Sequence, residues 1–207
     1  MTDAPPPSPV ASFAAGFDDS AHEAQQVFRA VLDAFAHPGR IVALPSKVEA
    51  PAPLSPATAA FLLTLVDRET PLFLAPAFRT DETTQYVRFH TGAPLVAREA
   101  DAVFAVISAD RTTLPHGYLD DFAIGSDAYP DRSATLVIEA PSLHGGARRT
   151  LRGPGIETTA TIEVAGLADS FWNEWAANKA LFPCGVDVVF AAGTELLALP
   201  RGIAVEV

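Results

Sequence analysis

Residues 181–201, LFPCGVDVVFAAGTELLALPR, constrain the fold more than any other stretch of the chain. A Pro-x-Gly turn at Pro183 and Gly185 feeds an apolar run from Val186 to Ala191 that alternates too little for a solvent-facing strand. Gly193-Thr194 turns the chain into a second apolar run, Leu196 to Leu199, ended by Pro200. Two such runs joined by a tight turn predict a hairpin with most of its surface buried. The remainder of the chain must therefore supply cover.

It has the material to do so. At 207 residues the chain is expected to be one domain, large enough to bury roughly 70% of its unfolded surface. Hydrophobic residues make up 49% and charged residues 19%, a globular rather than a disordered balance. No apolar run approaches the roughly 20 residues that span a bilayer, and the N-terminus carries no basic, apolar signal segment, so a cytoplasmic protein with no membrane partner is expected. Cys184 is the single cysteine, which leaves no internal disulfide to form and fits a reducing compartment. A net charge of −11 opposes a general nucleic-acid role while leaving room for a local anion site.

Helical and strand periods place the elements. Residues 1–19 are Pro- and Ala-rich and predict a mobile arm; 20–207 predict a single α/β domain. Ser20 with Glu23 forms a capping box for a helix with Ala24, Val27, Phe28, Val31 and Phe35 on one face, stopped at His37-Pro38-Gly39. Ser55 and Pro56 open a second helix that is apolar almost all round and hence central. Thr80, followed by Asp81 and Glu82, caps a third. Strands are expected at 41–44, 71–75, 103–108, 135–140, 148–152, 159–164 and 203–207, with 135–140 and 148–152 joined by a Gly145-Gly146 turn. A short helix is expected near 119–122, and a last helix over 168–180. Strands that alternate with helices early and pair by hairpins late predict an α/β sandwich around a mixed sheet.

Several segments, in order, resemble the H-subunit family of the carbon-phosphorus lyase core complex used in phosphonate breakdown. They are AHPGR (36–40), LLTLVDRETPLFL (62–74), RFHTGAPLV (88–96), ATLVIEAPSLHGG (134–146), LRGPGI (151–156) and the terminal hairpin. Each is mostly turn and core residues, so their collinear order from about residue 20 to 207 carries the resemblance. It implies a three-layer fold like a trimmed pyridoxal-phosphate-dependent transferase domain without the cofactor, and a homodimer. It also implies a non-catalytic subunit that works with the G, I and L subunits and docks on the I subunit. In that family the complex transfers the ribose triphosphate unit of ATP to a phosphonate. The Pro-rich arm and residues 170–179 depart from the family pattern.

No cofactor and no metal is expected. A pyridoxal Schiff base needs a lysine, and the two present, Lys47 in a Pro-rich loop and Lys179 at a helix end, face no evident pocket. An iron–sulfur cluster needs several thiolates, which Cys184 alone cannot supply. The histidines at 22, 37, 90, 116 and 144 fall at no metal-ligand spacing, and neither a G-x-S-x-G elbow nor a phosphate-binding P-loop motif occurs.

Two readings of the remaining polar residues stay open. In one, residues 142–157 (SLHGGARRTLRGPGIE) form an anion site, with Arg148 and Arg152 on one strand face beside glycines that expose backbone N–H groups. His90 at a helix end, with Asp187 after a glycine turn and Arg88 and Arg79 as weaker candidates, extends that ligand-binding set for a nucleotide or phosphonate. In the other, the same arginines occupy an edge strand and pair with acids, His90 caps its helix, and Asp187 caps or orients an arginine. The stripe of Phe171, Trp172 and Trp175 reads as core or as an interface anchor. A free homodimer unrelated to phosphonates is the third possibility.

Overall fold

The computed structural model describes residues 14–45, 48–110 and 117–206. Lys47, His116 and the first 13 residues of the N-terminal arm lie outside the described residues. The elements in chain order are α1 (Ser20–Ala36), β1 (Val42–Ala43), α2 (Pro56–Leu65), β2 (Leu72–Leu74), α3 (Asp81–Thr91), β3 (Leu95–Val96) and β4 (Phe104–Ser108). Then follow β5 (Ile124–Ser126), β6 (Tyr129–Ser133), β7 (Thr135–Glu139), β8 (Arg149–Arg152), β9 (Ala160–Ile162), α4 (Asp169–Ala180), β10 (Asp187–Ala192), β11 (Glu195–Leu199) and β12 (Ala204–Glu206).

The predicted hairpin sits inside a seven-stranded mixed sheet of order β1-β11-β10-β7-β4-β2-β3. Five neighbours, β10, β7, β4, β2 and β3, run parallel, while β11 is antiparallel to both β10 and β1. Both faces are covered, which is why the strands carry apolar residues without alternation. Phe104 pairs with Thr135, which pairs with Asp187, three residues before Phe190; Phe104 and Phe190 therefore project to opposite faces. Phe61 of α2 meets Phe104 edge-on at 5.9 Å, and Phe171 of α4 meets Phe190 at 5.7 Å. Helices thus lie on each side of the sheet. The α4 side also carries a small sheet, β12-β8-β9, against which Trp175 donates its indole N–H to Ile203 O at 2.9 Å.

Local chemistry explains the helix starts. Ser55 caps α2 by accepting from Thr58 N at 3.2 Å, with Pro56 in the first turn, and Thr80 caps α3 in the same way at 3.0 Å. A cap of this kind contributes about 1 kcal/mol. At α1 the cap is Asp19 rather than Ser20: its carboxylate accepts from His22 N at 3.1 Å while its own N–H donates to Glu23 Oε1 at 3.0 Å. A carboxylate one residue earlier is an equally good acceptor, so the box starts one position sooner.

Three expectations change. Phe28 is not on the core face of α1; Val27, Val31 and Ala34 are, and Phe28 is 43% exposed. One helical position rotates a side chain by about 100°, which places Phe28 with Leu32 and Phe35 on a second stripe. Strands β7 and β8 are not hairpin partners, because β4 and β10 occupy both edges of β7. No helix forms at 119–122; the neighbouring polar stretch instead makes the β5–β6 hairpin, with an irregular register at Ile124/Ser126. A ribbon of mostly exposed or half-buried residues lacks the apolar alternation that would reveal it.

One half-buried carboxyl ties helix to sheet. Glu139, at the end of β7, accepts from Ser55 N at 2.6 Å just ahead of α2. Its burial pushes its pKa above the ordinary 4.5, against the hydrogen bonds from Ser55 and Thr58 that lower it. A carboxyl raised on folding binds more protons in the native state, so its contribution is fully present below the unfolded value and is lost as pH rises through the folded one. Glu139→Gln keeps an acceptor for Ser55. The variant is expected to lose less stability than the parent between pH 4.5 and neutrality in urea unfolding; identical pH slopes would refute this role.

Candidate functional site

The glycine-rich stretch 142–157 places its cations as alternation requires: Arg148 and Arg152 are exposed and Arg149 is buried. Each has a carboxylate. Arg148 Nε lies 3.6 Å from Glu163, Arg149 Nη2 is 2.9 Å from Asp169, and Arg152 Nε is 2.7 Å from Glu206. Arg149 also lies over the Trp172 ring at 5.5 Å. Strand β8 is the central strand of its sheet rather than an edge.

Asp187 begins β10 and orients Arg201. Its Oδ1 accepts from Arg201 N at 2.8 Å, its two oxygens accept from Nε at 3.1 and 3.2 Å, and a further bond joins Oδ2 to Nη2. Arg201 Nη1 reaches Pro130 O at 2.8 Å, so the pair staples the β5–β6 hairpin to the sheet. His90, in the last turn of α3, contacts Tyr86 and Phe89 and bonds through Nε2 to Ala14 O at 3.1 Å. Gly16 lies so near that a Cβ there would sit 2.9 Å from His90 Nδ1. His90 therefore holds residues 14–16 on the body, while Gly92, at φ +69°, caps α3. Arg88, two residues before His90, faces a different opening beside Arg79. His90, Arg148, Arg152 and Asp187 bond to Ala14, Glu163, Glu206 and Arg201 respectively, and Arg88 lines a separate opening, so the five residues are not brought together in one site.

Cys184 is buried, with Sγ 3.8 Å from Asp127 Oδ1; burial first, then that carboxylate, push the thiol above its usual range. Lys179 is exposed in the last turn of α4. Phe171, Trp172 and Trp175 are all buried, which settles their stripe as core.

One wide opening escaped sequence reasoning. A cavity of about 550 Å³ lies where the end of α1 meets the turns around β10–β12. Pro130, Pro154, Pro183 and Pro200 line it together with Phe35 and Phe182. The signal was present as turn punctuation, since prolines distant in sequence close different loops around one point. At its wall Gly155 (φ +82°) approaches α1 so closely that a Cβ would fall 2.4 Å from Ala36 O. Phe182, in its lining, is 63% exposed, and Asp131 and Arg201 line it as well.

These features define a class, an α/β domain with helices on both faces of a mixed sheet and a proline-walled opening lined by Phe35 and Phe182. The chain belongs to the bacterial phosphonate metabolism protein (PhnH) family, which it matches over residues 15–206. It is 42% identical over 189 residues, 91% of this chain and 93% of the relative, to the alpha-D-ribose 1-methylphosphonate 5-triphosphate synthase subunit PhnH of Rhizobium meliloti (strain 1021). It is 30% identical over 177 residues, 86% of this chain and 83% of the relative, to the putative C-P lyase subunit protein HtxG of Stutzerimonas stutzeri. The family resemblance read from the ordered segments is thereby borne out.

Proposed function

We propose that this chain is a non-catalytic subunit of a complex that makes alpha-D-ribose 1-methylphosphonate 5-triphosphate in phosphonate breakdown. The observation that carries this reading is the near full-length similarity to a synthase subunit of that name. Exposed Phe28 and Leu32 on α1, the helix whose half-buried Phe35 lines the Phe182 cavity, support it, because a subunit needs an apolar face to bury. The G, I and L subunits are the expected companions, with the I subunit as the docking partner. A cytoplasmic setting and a homodimer of the free chain belong to the same proposal; no described helix is long and apolar enough to cross a membrane. So does descent from a pyridoxal-phosphate-dependent transferase domain, for which parallel strands with helices on both faces are the supporting feature.

Co-expression with tagged G, I and L subunits tests the assembly. The parent chain is expected to co-purify at moderate salt, and its failure to do so would overturn the subunit reading. Leu32→Ser combined with Phe182→Ser should reduce recovery about tenfold or more while leaving the isolated chain folded, since both side chains are exposed. Undiminished recovery of the double variant would move the docking face elsewhere.

A further inference from the structure

A second, smaller cavity of about 250 Å³ opens at the carboxyl ends of β2 and β3, beside α3. Leu74 and Val96, the last residues of those parallel strands, line it with Arg79, Thr84 and Arg88. In open α/β sheets ligands are commonly held outside the carboxyl ends of the strands. Two guanidinium groups share the cavity, and its lining includes no carboxylate, although acids outnumber bases 25 to 14 in the chain. Among the described residues neither arginine has an ion-pair partner, in contrast to Arg148, Arg149, Arg152 and Arg201.

Arg79 is already positioned. Its Nε donates to Leu74 O at 2.5 Å and its guanidinium carbon stands 4.9 Å from the Phe73 ring centroid. That bond uses one N–H of the five and fixes the plane of the fork. Thr84 and Arg88 follow at i and i+4 on one face of α3, so a hydroxyl and a second fork sit one above the other.

We infer that this cavity binds a tetrahedral oxyanion of the phosphate or phosphonate class, held between Arg79 and Arg88 with the Thr84 hydroxyl as a third donor. Fork geometry suits an anion with several oxygens on one centre. The inference rests on this charge and shape and not on membership of a complex, so each can fail without the other. An overall negative field makes the binding sensitive to salt, as a local site in an acidic protein must be.

Titration calorimetry on the purified full chain at low ionic strength tests it, with inorganic phosphate, methylphosphonate and tripolyphosphate as separate probes. Saturable binding is expected, weakened about tenfold or more by Arg88→Ala and unchanged by Arg148→Ala. Arg88 is exposed, so its loss leaves the fold intact; Thr84→Val, expected to weaken binding less, gives an independent variant. Preference for methylphosphonate assigns the site to a phosphonate, and preference for tripolyphosphate assigns it to a nucleotide-derived triphosphate. Absence of binding by all three probes at millimolar concentration, or equal affinity in the parent and Arg88→Ala, overturns the assignment.

Discussion

Trp175→Ala should cost about 3–5 kcal/mol, the range for deleting a large buried aromatic side chain. Trp175 is 1% exposed on α4, stacks on Phe171 with centroids 6.4 Å apart, and donates to Ile203 O at 2.9 Å. Alanine would leave a void between the main sheet's cover and the small sheet, and an unpaired carbonyl at its lip. In a domain of this size each kcal/mol moves the melting temperature by roughly 2–4 °C. Trp175→Phe should fall between parent and alanine, because it restores volume but not the donor. Denaturant unfolding of the three proteins measures the ladder, and an alanine variant within about 1 kcal/mol of the parent would remove Trp175 from the core.

The second large effect is expected at Asn178, a polar side chain only 5% exposed. Its Oδ1 accepts from Val186 N at 2.8 Å and its Nδ2 donates to Val186 O at 2.9 Å, so it bonds the backbone of the chain entering β10 as a neighbouring strand would. Leucine has similar bulk and no donor or acceptor. Two buried backbone groups would then go unpaired, at about 1–3 kcal/mol each. Asn178→Asp should lose the donor and bury a charge near neutrality, then recover part of its stability as acidification returns a proton to the carboxyl. A leucine variant as stable as the parent would show that Val186 finds other partners.

Asn178 also shows where sequence reasoning stops. A polar residue in the last turn of a helix is ordinarily solvated, and no local pattern says that Val186 lies beside it. The elements dictated by neighbours were legible. Gly193-Thr194 fixed the β10–β11 turn, Ser55-Pro56 the start of α2, and unbroken apolar runs the buried strands. Strand β3, two residues long, was missed because so short a run carries no period. Pairing across distance was illegible too: β7 joins β4 and β10 rather than β8, a choice made by packing and not by the Gly145-Gly146 turn.

The candidate sites divide in the same way. The arginines of 148–152 could be placed on their faces from a two-residue period, but their partners Glu163, Asp169 and Glu206 are contributed by other elements. Arg79 and Arg88 lie nine residues apart across the start of α3 and line one opening because β2 and α3 fold back on each other. The proline-walled cavity needed three loops at once.

Strand β1 pairs with β11, and α1 rests against that same strand, although some 150 residues separate them in the chain. During synthesis α2 can already pack on α1, but the part of α1 that faces β11 stays uncovered until residues 195–199 have left the ribosome. Ribosome-bound chains ending before residue 187 would keep that part of the helix open to chaperones, and emergence of the β10–β11 hairpin would cover it.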